Sequence, residues 1–176
     1  MKRIAFIYSL LAALFLSSCS KDDSPAPGHE QTSFNVSFTG IDVRAGYDVK
    51  PPNQSLQLTS VLSNRDKASY VKGAETLMGS SNITIQGISS STALRSVTVN
   101  VVEGSAIVYS YNVNLGLDIT DKTLKDDTNS CTSFLSNIAT YIATKKSLTI
   151  QIVLNGGDTD ISNMTITVHV AAIFSW

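Results

Sequence analysis

The chain has 176 residues, with 13 basic and 14 acidic side chains and a formal net charge of −1. So mild a balance excludes the basic patch that nucleic-acid binding requires. Low charge with abundant serine, threonine and β-branched residues points to strands rather than helices.

Residues 1–18, "MKRIAFIYSLLAALFLSS", begin with Lys2 and Arg3, continue as an apolar run over 4–16 and end in two small residues. That is the layout of a secretory signal peptide, and the run is shorter than the roughly 20 residues that span a bilayer. The junction "LSSC" resembles the bacterial lipobox, at which signal peptidase II cuts before a lipidated cysteine. The resemblance implies that Cys19 becomes the first mature residue and carries acyl chains such as palmitate. Each buried methylene contributes about 0.8 kcal/mol, so two or more chains anchor a protein stably. The following "SKDD", residues 20–23, is similar to the export signal of Bacteroidetes surface lipoproteins, which implies display on the outer face of the outer membrane.

Without the leader 158 residues remain, with 11 basic and 14 acidic side chains and a net charge of −3. This is enough chain for one domain with a substantial core. Cys131 is then the only cysteine besides Cys19, so no intrachain disulfide framework exists. Residues 19–33 lack apolar periodicity and hold two prolines and a glycine, so they read as a lipidated flexible tether. The folded domain is expected over 34–176.

Alternation then predicts strands. "FNVSF" sets Phe34, Val36 and Phe38 on one face, and "SLQLTSVL" starts in step at Leu56 and Leu58 but shifts phase at Val61. "NITIQG" aligns Ile83 and Ile85, and "LRSVTVNVV" aligns Val97, Val99 and Val101. "AIVYSYNVNLGL" aligns Ile107, Tyr109, Tyr111, Val113, Leu115 and Leu117. "DITDKTLKDDTNS", residues 118–130, reads as a polar loop. Phe134, Leu135, Ile138, Tyr141 and Ile142 then fall at spacings of three and four, the stripe of an amphipathic helix. Ser130 or Thr132 suits its N-cap, and Lys145 and Lys146 suit its C-terminus. Two further strands follow, one aligning Leu148, Ile150, Ile152 and Leu154, the other running from Met164 to Trp176 in one phase. They are expected to pair as a hairpin across "NGGDTDISN". The whole pattern predicts a mainly β fold, an antiparallel β-sandwich of immunoglobulin or transthyretin-like kind with one helix, a closed barrel being the alternative.

Chemistry-bearing residues are sparse. His29 falls in the tether, and His169 sits on the polar phase of its strand. Cys131 opens a helix, a position that can activate a thiol, but the sequence offers no orienting partner and no "GxSxG". No enzyme and no cofactor are expected. Acidic residues crowd two loops, Asp118, Asp121, Asp126 and Asp127 in one and Asn155, Asp158 and Asp160 in the other. Oxygen ligands of this kind suit Ca²⁺, and the second loop is the better candidate. Tyr47 and Tyr70 are loop tyrosines that can offer a saccharide platform.

The expected function is therefore a non-enzymatic surface lipoprotein, held to the membrane through Cys19, whose domain binds a glycan or an outer-membrane protein partner. A fimbrial or adhesin-type subunit and a hydrolase of surface polymers are the alternatives. Hydrolysis needs paired carboxylates or a nucleophile with its base, and no local motif supplies either.

Overall fold

The computed structural model describes residues 25–77 and 79–176. The leader, Cys19 and the "SKDD" stretch lie outside the described residues. Eleven strands are present: β1 (His29–Val43), β2 (Asp48–Val49), β3 (Gln54–Gln57), β4 (Gly73–Thr76), β5 (Asn82–Gln86), β6 (Leu94–Glu103), β7 (Ala106–Asn112), β8 (Ile119–Thr120), β9 (Thr123–Asp126), β10 (Ser147–Gly156) and β11 (Ile161–Ser175). Among the described residues two α-helical segments join them, a single turn α1 (Leu58–Val61) and the long α2 (Asn129–Lys145).

The strands form two antiparallel sheets packed as a sandwich around one core. The front sheet runs β1-β11-β5-β9-β8, with β4 beside β11 beyond the end of β5; the back sheet runs β2-β10-β6-β7, with β3 also on β10. The two central strands carry the strictest alternation. Leu148, Ile150, Ile152 and Leu154 of β10 face Met164, Ile166, Val168, Val170, Ala172 and Phe174 of β11, all essentially inaccessible. Burying a large aliphatic side chain contributes about 1.5–3 kcal/mol. A one-residue slip of β10 alone would expose four of them, at a cost of about 6–12 kcal/mol, comparable to the whole stability of a domain. Register is therefore determined by the core.

The sandwich has a base and a tip. β1 starts and β11 ends at the base, where Gly28 and Trp176 exchange two backbone hydrogen bonds at 3.0 Å. β1 ends and β11 begins at the tip, with Val43 opposite Ile161.

Several sequence expectations change. The domain begins before Phe34: His29 to Ser33 already pair with β11. This polar segment is held by backbone pairing and by side-chain hydrogen bonds, not by burial. Glu30 Oε1 accepts from Ser63 N–H and Oγ, both at 2.7 Å, and Thr32 Oγ1 donates to the Val61 carbonyl. Residues 28–33 thus belong to the fold rather than the tether. The phase shift at Val61 marks a helical turn, in which Leu58 and Val61 are buried three residues apart. The stretch expected to be a polar loop contains the β8–β9 hairpin, turned by Asp121 and Lys122 at φ 48° and 60°. Such a turn usually carries Asn-Gly, so its signal was absent.

The last two strands do not form a hairpin. β10 lies in the back sheet and β11 in the front one, and the intervening residues cross between layers. Each strand is flanked on both edges by others, and its buried face meets the opposite sheet.

Helix α2 lies between β7 of the back sheet and β4 of the front one. The predicted helical stripe of Phe134, Leu135, Ile138, Tyr141 and Ile142 is buried throughout. Thr128, not Ser130 or Thr132, is the N-cap, its hydroxyl accepting from Cys131 N–H. Lys146 ends the helix in the left-handed region at φ 66°, and its ammonium donates to the carbonyls of Val71 and Ala143.

Candidate functional site

The tip is built from three stitched loops. Tyr47 N–H donates to Arg44 O at 3.1 Å, Gly46 N–H to Gly157 O at 2.9 Å, and Gly156 N–H to Tyr47 O at 2.9 Å. Asp160 Oδ1 accepts from Ala45 N–H at 2.8 Å. Gly157 N–H in turn donates to Ala93 O at 2.9 Å, which closes the tip on the turn before β6. Glycine is required at both positions. A Cβ on Gly156 would sit 2.4 Å from Arg44 O, and one on Gly157 2.1 Å from Thr92 O. On this fixed turn Tyr47 is 68% exposed, so its ring is presented with little ordering left to lose.

Tyr70 does not join it. It closes a short 3-10 turn, Arg65–Tyr70, at the base, next to Val71 whose carbonyl meets Lys146. Tyr47 lies beside the opposite end of β10, near the Val49–Leu154 pair. Traversing β10 puts about 25 Å between them, so the two tyrosines form no common platform.

The second acidic loop also disperses. Asp160 is committed to the Ala45 N–H, and the Asn155 carboxamide, oriented to satisfy its neighbours, donates to Asp48 Oδ1 and accepts from Ser96 Oγ. Asp158 stands exposed apart from both. Among the described residues no three His, Cys, Asp or Glu side chains converge as metal ligands.

One member of the first acidic loop has a different part. Asp126 is fully buried at the end of β9. Its Oδ2 accepts from Tyr111 OH at 2.7 Å and Asn114 N–H at 2.9 Å; its Oδ1 accepts from Thr128 Oγ1 at 2.8 Å and Thr128 N–H at 3.2 Å. Burial by itself pushes this carboxyl up, but the four donors outweigh it and hold the pKa below the ordinary value. The same burial, with the carboxylate alongside, pushes the Tyr111 phenol up to about 12. Asp126 thus ties β7, the turn after it and the cap of α2 together. Its burial was unreadable because acidic residues in polar stretches are nearly always exposed.

Cys131 sits under this latch, fully buried. Burial first, and the Asp126 charge second, push its thiol up to about 12, so it stays protonated at neutral pH and presents no nucleophile. His169 faces away on the outer side of the front sheet, its Nδ1 2.6 Å from Asn35 Oδ1. The two do not meet.

A groove of 510 Å³ runs along the flank, between the first half of α2 and β4. It was not anticipated, although its signal is legible: residues 128–144 contain no charged side chain.

No family model matches the chain, and no curated protein does. Among solved structures, one of Desmodium yellow mottle tymovirus is similar over 86% of this chain and 89% of its own, at 14% identity and a TM-score of 0.37. A decameric BFDV capsid protein is similar over 84% of this chain and 99% of its own, at 9% identity and a TM-score of 0.34. Likeness this distant carries no inference about function.

Proposed function

We propose that the chain is a non-enzymatic, lipid-anchored surface domain that binds a glycan or a protein partner at the outer membrane. One observation carries the reading: the chain enters the fold at the base, and the exposed Tyr47 stands past the other end of β1. An acylated Cys19 would tie the base to the bilayer and turn the stitched tip outward. The protonated, inaccessible Cys131 supports the non-enzymatic part.

Clickable palmitate supplied to cells making either the natural chain or Cys19→Ala tests the anchor, and protease shaving of intact cells tests the display. The expected result is label on the natural chain alone, together with loss of the domain on shaving. Equal absence of label from both refutes the anchor. A labelled product that resists shaving only in intact cells refutes the outward display.

A second reading, a structural subunit, is favoured by one observation. β7 ends the back sheet with a single strand neighbour and carries Ile107, 58% exposed, and Val108, 38% exposed. Open edges of this kind pair with other chains. Light scattering of the purified full chain separates the readings, since a subunit forms oligomers that Val108→Lys disperses.

A further inference from the structure

Helix α2 has a solvent-facing side that breaks two ordinary rules. Surface helices carry charged residues on that side, and exposed positions are usually filled by good helix formers. Here the exposed positions before Lys145 hold Asn129, Ser130, Ser133, Asn137, Thr140 and Thr144, all poor helix formers and all neutral. No charged side chain occurs until Lys145. Local rules are most often broken where a site needs those residues.

The same side forms one wall of the 510 Å³ groove, which lies within the roughly 300–1,000 Å³ of small-molecule sites. Its lining is Thr76 from β4 with Asn129, Thr132, Ser133, Ser136 and Asn137 from α2. One of these has unmet hydrogen-bonding capacity. Thr132, only 8% exposed, borders the groove from the helix side. Thr76 Oγ1, on the opposite wall, is buried without a partner. Buried hydroxyls are ordinarily paired, so an unpaired one in the wall of a groove marks a place where a ligand's polar groups are accepted.

The chemistry of the lining selects the ligand. Every hydroxyl both donates and accepts, and each carboxamide does both through separate atoms. Among the described residues no lining side chain is charged, so an ionic ligand would lose hydration and gain no counter-charge. A ligand dense in neutral hydroxyls meets the lining group for group.

We infer that this groove, rather than the tyrosines, is a binding site for a neutral saccharide. The inference deepens the surface-binding reading and rests on it for access to such a ligand. Tyr47 remains free for a separate contact at the tip.

The test uses the purified full chain in detergent and three neutral trisaccharides, maltotriose, cellotriose and chitotriose, with trigalacturonate as the charged comparison. Saturation-transfer NMR and calorimetric titration give the affinities. Ser136→Arg fills the groove from a partly exposed helix position, and Asn129→Ala with Asn137→Ala removes both carboxamides while leaving the groove open. The expected result is binding of at least one neutral trisaccharide, with trigalacturonate weaker. Each groove variant weakens that binding by about tenfold or more, with unchanged thermal unfolding, and Tyr47→Ala leaves it unaltered. Binding that survives both groove variants overturns the site while leaving surface binding intact. Absence of binding by all three neutral trisaccharides at about 10 mM overturns the saccharide assignment; the palmitate and shaving experiments decide the surface reading independently.

Discussion

The Asp126 latch supports a quantitative prediction. Asp126→Asn preserves shape but replaces one acceptor oxygen by an NH₂ group. Four donors meet the native carboxylate, two on each oxygen. The hydroxyls of Tyr111 and Thr128 can rotate to accept from the new amide, but a backbone N–H cannot. Whichever way the amide turns, either the Asn114 or the Thr128 N–H is orphaned. An orphaned buried donor costs about 1–3 kcal/mol, and bonds to a charged acceptor exceed neutral ones by roughly 1 kcal/mol. The expected destabilisation is about 3 kcal/mol at pH 7, read as a lower urea midpoint with unchanged slope. The pH dependence has a defined sign. The folded-state pKa lies below the ordinary 3.8, so the carboxylate's contribution is complete above that value and is lost as pH falls through the folded pKa. The gap between the natural chain and Asp126→Asn therefore narrows only in acid. Tyr111→Phe gives an independent check: it should cost about 1–2 kcal/mol in the natural chain, where its bond is to a carboxylate, and less beside Asp126→Asn, where only a neutral amide meets it. A loss below about 0.5 kcal/mol at pH 7, within the range of surface substitutions, would refute the latch.

Two further outcomes are expected. Gly157→Ala places a Cβ 2.1 Å from Thr92 O and detaches the tip, costing about 3 kcal/mol from overpacking and lost backbone bonds. In a domain this size that lowers the thermal midpoint by about 6–12 °C; a midpoint within 2 °C of the natural value, about the scatter of a neutral change, contradicts the stitched tip. Cys131, buried with its thiol pushed up to about 12, should resist a maleimide at pH 7.5 until the chain is unfolded in guanidinium. Stoichiometric labelling of the folded protein would contradict that burial.

The sequence was most informative where burial and period agree. Strands such as β10 and β11, and the helical stripe from Phe134 to Ile142, declare themselves because each buries a whole face. It was least informative where backbone pairing holds polar residues. His29 to Ser33 carry no apolar period, yet β11 supplies their partners from the far end of the chain. Layer assignment was equally hidden, since alternation in β10 and β11 reports a buried face but not which sheet owns it. Asp126 reads like its exposed neighbours, and only the donors converging from Tyr111, Asn114 and Thr128 distinguish it. The tyrosine platform failed for a similar reason: two loops can look alike in sequence and lie at opposite ends of the sandwich. The neutral run of α2 was visible throughout, and it gained meaning once β4 was set against it.

The central place of β11 bears on how the molecule assembles. β1, β4 and β5 all pair with it, and among the described residues β1 has no other paired strand. Its partners on β1 lie more than 115 residues away in sequence, so the front sheet waits for β11 to be synthesised. Long-range closure of this kind is slow. A ribosome-bound chain that lacks β11 therefore holds β1 as an unmatched strand, and losing β11 would leave the front sheet without its seam.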